Sequence, residues 1–151
     1  MKINKKTLLI TICMILLAIV VFYLNVAVFV SGPASKYDSK IAKEEQSIRA
    51  QYKDITIINR HVFQYVVYIG EDEDHYIWFN NKSKAIDQRT KDTYREEEVK
   101  SLVASTYEAS DIHVKLGFGY KKPCYVVNCD QGMILLDYDS LKEVYYLKKG
   151  E

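Results

Sequence analysis

The chain has 151 residues, with 21 lysines and arginines against 20 acidic residues. Three of those lysines (Lys2, Lys5, Lys6) lie in the first six residues, so the remainder carries 18 basic and 20 acidic groups, a formal charge of −2. That balance argues against nucleic acid as a partner.

In chain order, the lysine-rich tail (1–6) is followed by an uncharged run from Thr7 to Val30. As a helix this run reaches about 36 Å against a hydrocarbon core of about 30 Å. Its few polar residues, Thr7, Thr11 and Asn25, do not form a polar face, so a transmembrane helix over 7–30 is expected rather than a buried soluble one. A cleavable signal peptide is the rival reading, but its apolar core spans only about 7–15 residues. The small-residue exit Ser31-Gly32-Pro33-Ala34 also places a proline beside the cut. Ile12, just before Cys13, is not the small residue that lipidation requires. The dense lysines at the start, against the mixed charges of 31–50, place the N-terminus in the cytoplasm and the C-terminal part outside it.

Beyond the breaker Ser31-Gly32-Pro33, the chain reads as two units, 31–91 and 92–151, each a helix followed by three or more strands. The first helix is expected over Ser35–Tyr52, with Tyr37, Ile41, Ile48 and Tyr52 on one stripe. The second is expected from Thr93, where Thr93 and Glu96 have capping-box spacing, with Val99, Leu102, Val103 and Tyr107 on one face. Strands are expected at Tyr65–Tyr68, Tyr76–Phe79 and from Ala85, with a bend or bulge near Asn59 to His61 in the long run Ile55–Ile69. In the second unit they are expected at Tyr125–Val127, Met133–Leu136 and Glu143–Leu147. Tyr65-Val66-Val67 and Tyr125-Val126-Val127 lie 60 residues apart, and Ser83 and Ser140 occupy corresponding turns, so two copies of one unit are expected. A unit of this size is marginal alone, which favours the two packing as one body.

Catalytic and metal signatures are absent from the sequence pattern. There is no Gly-x-Ser-x-Gly, Ser-x-x-Lys or His-Glu-x-x-His, and His61, His75 and His113 are scattered over strands. Glu71-Asp72-Glu73-Asp74 reads as a solvated hairpin tip rather than a calcium loop. Gly117-Phe118-Gly119 reads as a strand bulge or bend. Five residues of strand between Cys124 and Cys129 span about 16 Å, too far for a disulfide unless a tight turn falls between them. No cofactor and no small-molecule substrate is expected. The twelve tyrosines beyond residue 30 and Trp78 are the enrichment that could carry function; most are expected in the sheets, with Tyr76, Trp78, Tyr120 and Tyr146 as the candidate interaction surface.

The N-terminal anchor, the element order, His75-Tyr76-Ile77-Trp78-Phe79 followed by Lys82-Ser83-Lys84-Ala85-Ile86, and the second unit from Tyr94 through Tyr125-Val126-Val127 to Tyr145 carry a resemblance. Together they resemble the TseB/YpmB-like cell-wall elongation regulators of Gram-positive bacteria, whose exported part holds PepSY-type, cystatin-like repeats. The resemblance implies an α+β fold: a transmembrane helix, then two tandem cystatin/PepSY-like units, each one helix packed on an antiparallel sheet. It also implies a non-enzymatic membrane protein that binds and regulates the cell-wall synthesis machinery, with a penicillin-binding transpeptidase as partner. The alternative is a PepSY-type inhibitor or chaperone of an exported peptidase.

Overall fold

The computed structural model describes residues 5–26 and 32–150. The chain divides into two compact units, Met1–Lys43 and Glu44–Glu151. The fold is α+β, with an apolar N-terminal helix and two antiparallel sheets.

In the first unit, helix α1 (Lys5–Val26) contains an apolar stretch, Leu8–Val26, long enough to cross a membrane and with none of it buried. Its 22 residues give a length of about 33 Å. Residues 1–4 of the expected tail and 27–30 of the expected span lie outside the described residues, as does Ser31. Helix α2 runs over Gly32–Gln51, so Gly32 and Pro33, expected as part of a breaker, instead form its first turn. Proline is tolerated there because an N–H at that position has no intrahelical acceptor to lose.

The second unit takes in the last two turns of α2. Ile48 is fully buried, and Tyr52 packs on Phe79 at a tilt, with ring centroids 4.9 Å apart. The first sheet is a meander of β1 (Thr56–Val62), β2 (Val66–Glu71), β3 (His75–Asn80) and β4 (Ala85–Thr90). The second is a meander of β5 (His113–Phe118), β6 (Pro123–Cys129), β7 (Gly132–Asp137) and β8 (Glu143–Lys148). Between the sheets lie one 3-10 turn (Lys91–Thr93) and helix α3 (Glu96–Tyr107).

Four further expectations need correction. The Ile55–Ile69 run is not one bent strand: it folds back at Phe63-Gln64-Tyr65 as the β1–β2 hairpin, with the bulge at Ile58, between Ile57 and Asn59. The turn Phe63-Gln64-Tyr65 lacks glycine, proline or asparagine, so no turn residue marks it. The capping box does not form, because α3 starts at Glu96 and Thr93 Oγ1 donates to the Thr90 carbonyl instead. Gly117 is not a bulge, since β5 pairs with β6 without a break from His113 to Phe118. Its hydrogen leaves room that a Cβ would take 2.3 Å from Val126 and 3.0 Å from His61.

The fourth correction concerns the repeat. Val67 pairs with Asn80 in the first sheet and Cys124 with Asp137 in the second, so equivalent positions lie 57 residues apart. Ser83 and Ser140 obey that offset; the Tyr-Val-Val triplets do not. Tyr65 sits on the hairpin tip, 61% exposed, whereas Tyr125 is fully buried and has Tyr68, also fully buried, as its counterpart. The two meanders also share a bulge, at Trp78/Phe79 and at Leu135/Leu136.

One continuous core joins the sheets. Val67, Ile69 and Trp78 from the first pack with Val99 and Val103 of α3 and with Tyr125, Val127 and Ile134 of the second. The Trp78 indole N–H donates to the Gly117 carbonyl at 2.8 Å. Tyr138 stacks on Tyr125, with ring planes 8° apart, and meets Trp78 edge-on. Cys124 and Cys129 are free thiols near the two ends of β6, and burial pushes the Cys124 thiol up to about 12.

Candidate binding surface

Strand β1 runs beside β5, and side chains bridge the two edges. Asn59 Nδ2 donates to the Leu116 carbonyl at 2.8 Å. Two residues on, the Phe118 N–H donates to His61 Nδ1 at 3.0 Å. That bond requires an unprotonated Nδ1, and burial holds the His61 pKa below its usual 6.5. His61 is therefore a neutral structural clasp between the sheets.

Beyond the clasp the seam opens into a cleft of about 240 Å³, walled by Ile58 and Asn59 of β1, Val114 to Leu116 of β5, Tyr76 and Tyr94. The cleft is smaller than the ~300–1,000 Å³ typical of small-molecule sites. Tyr76 and Tyr94 meet edge to face at 5.5 Å, and the Lys91 ammonium, itself 3.0 Å from Glu71, lies 5.6 Å from the Tyr76 ring centre. Burial raises both phenol pKa values, with Glu71 adding to the rise at Tyr76 and Glu96 at Tyr94. Both phenols stay protonated at neutral pH, and the Tyr94 O–H donates to the Glu96 carboxylate.

At the far end of the seam, the β1–β2 and β5–β6 turns meet. Tyr120 is 45% exposed and abuts Phe63 at 5.1 Å, while Phe63 also meets Tyr145 at 5.2 Å. A second cleft of about 320 Å³ there takes in Tyr65, Asn80, Asn81, Ile86 and Phe118.

The expected surface residues are thus divided. Tyr76 lines the seam cleft and Tyr120 stands at its far end. Trp78 is fully buried and drops out as a contact residue, because its face of β3 is covered by α3 and the second sheet. Tyr146 is half-buried, packed on Tyr107 at 5.2 Å on the α3 side of the second sheet. Sequence reasoning missed Phe63, Tyr65, Tyr94 and Lys115. The first two were hidden in the unmarked hairpin, and the other two become neighbours of the cleft only through the β1–β5 seam.

Aspartates in two of the hairpin turns serve the fold. Asp72 Oδ1 accepts the N–H of Asp74 and of His75, holding the β2–β3 turn closed. Asp137 Oδ1 accepts the Ser140 N–H and hydroxyl in the β7–β8 turn. Among the described residues no three histidine, cysteine, aspartate or glutamate side chains gather as a metal site would require. Comparison with family models, with curated proteins and with solved structures finds no significant match.

Proposed function

We propose that this chain is a membrane-anchored docking protein that binds and regulates the cell-wall synthesis machinery, with a penicillin-binding transpeptidase as its partner. In this reading α1 crosses the membrane with the N-terminus in the cytoplasm, and Glu44–Glu151 stands outside as a pair of PepSY-like meanders. The observation that carries it is the character of the accessible seam: tyrosine rings and aliphatic side chains line it together with Asn59 and Lys115, and His61 at its clasp is neutral and accepts a backbone N–H. Such a surface buries contact area at low entropic cost. Anchoring makes weak docking sufficient, because confinement to the membrane raises the effective concentration of the partner.

Deleting the gene in a Gram-positive host is expected to alter cell elongation or β-lactam sensitivity. Restoring it with residues 7–30 exchanged for an unrelated membrane span is expected to return the wild-type phenotype. Unchanged elongation and drug sensitivity in the deletion strain would overturn the reading.

A further inference from the structure

The charges of Glu44–Glu151 are sorted by place. That unit holds 15 basic and 19 acidic residues, yet Ile55–Gly70, His75–Ile86 and Ile112–Cys129 contain no aspartate or glutamate at all. These three acid-free stretches are far apart in sequence but adjoin in space: β1 lies along β5 through Asn59 and His61, Phe63 touches Tyr120, and the second cleft joins Tyr65, Ile86 and Phe118. Lys82, Lys84, Lys115 and Lys121 are exposed on them and form no ion pair among the described residues. The same stretches carry exposed apolar side chains, with Ile58 43%, Val62 55% and Tyr65 61% accessible. In an acidic unit, unpaired lysines interleaved with exposed apolar groups are the complement of a surface that is acidic and apolar together.

We propose that this lysine-bearing face is the docking surface, and that its occupant is an acidic segment of a protein partner that inserts an apolar side chain into the seam cleft beside Lys115, with its carboxylates toward the lysines and away from Glu71 and Glu96, which act on the Tyr76 and Tyr94 phenols of that cleft. This rests on the docking function proposed above and names the chemistry of the partner. The concave seam favours a peptide over a planar lipid surface: about 240 Å³ between Ile58, Tyr76 and Leu116 accommodates a side chain, whereas headgroups would meet only the rim. Lys115 on the cleft wall, with Lys82 and Lys84 in the turn beside the second cleft, steers the approach and fixes the register, and the seam cleft supplies the burial.

The test uses the full chain in nanodiscs of phosphatidylcholine and a fluorescent peptide alternating glutamate with leucine or phenylalanine. Saturable binding is expected, weakening about tenfold as salt rises from about 50 to about 300 mM. The combined variant Lys82→Glu, Lys84→Glu, Lys115→Glu is expected to weaken it about tenfold, while Lys142→Glu, Lys148→Glu, Lys149→Glu, an equal charge change elsewhere, leaves it unchanged. Equal binding of a peptide with lysine for glutamate, equal binding of one with glycine for the apolar residues, or equal loss in both triple variants would overturn the proposal. So would displacement of the peptide by phosphatidylglycerol vesicles, which would assign the face to a membrane. No cell-wall enzyme enters these assays, so they fail separately from the function: a transpeptidase crosslinked only through the exposed α3 residues Glu97 and Thr106 would remove this surface and leave docking standing. Peptide binding in a protein whose loss leaves elongation unaltered would do the reverse.

Discussion

Replacing Trp78 tests whether the two meanders are one cooperative body. Its ring is wholly buried between the first sheet, Val99 and Val103 of α3, and Tyr138. Its N–H is bonded to Gly117 of the second sheet. Trp78→Phe removes that hydrogen bond, worth about 1 kcal/mol, and leaves a void of about 40 Å³ that costs roughly 1 kcal/mol more. A loss of about 2 kcal/mol is expected for phenylalanine and about 4 kcal/mol for alanine, a large part of the ~5–15 kcal/mol that holds a domain of this size. Urea unfolding of the detergent-solubilised chain, followed by circular dichroism because the sole tryptophan is the residue removed, should show one transition shifted to lower midpoint. Two transitions, with only one moving, would refute the shared core. So would a loss under about 0.5 kcal/mol.

Other perturbations probe separate contacts. Val127→Asp places a carboxylate on a fully buried strand position at a cost of several kcal/mol, and is expected to abolish cooperative melting. Gly117→Ala drives a methyl group into Val126 and His61, and should lower stability by about 1–3 kcal/mol in the same urea assay. His61 titrates below 6.5 in the folded state, so as pH falls through 6.5 the unfolded chain takes up the proton first. Its contribution is complete above that value and is lost below it, so denaturation at about pH 7 and about pH 5 should differ less in His61→Gln than in the wild type. Cys124, buried with its thiol pushed up to about 12, should resist maleimide until urea unfolds the unit; mass spectrometry of the labelled peptide reads the outcome.

What could be read from the sequence was what local pattern encodes. The apolar span, the helix face of Val99 and Val103, and strands β3, β6, β7 and β8 each announce themselves through hydrophobic period or β-forming residues. The β1–β2 hairpin was illegible because Phe63-Gln64-Tyr65 carries no turn chemistry, and that omission misaligned the repeat by three residues at Tyr65. The fate of the aromatic residues was illegible for another reason. Trp78 and Tyr76 occupy the same face of β3, but whether that face meets solvent or a second sheet depends on pairing across the chain. Adjacency of β1 and β5 likewise makes the seam, and it follows from long-range packing that no local window contains.

Photocrosslinking in intact cells tests docking onto the cell-wall machinery most directly, with a photoreactive phenylalanine at Tyr120 or at Tyr76 and the adducts identified by mass spectrometry. The account predicts that both positions trap a penicillin-binding transpeptidase and that Tyr146, packed against Tyr107, does not. Adducts that contain no cell-wall enzyme at either position would contradict it.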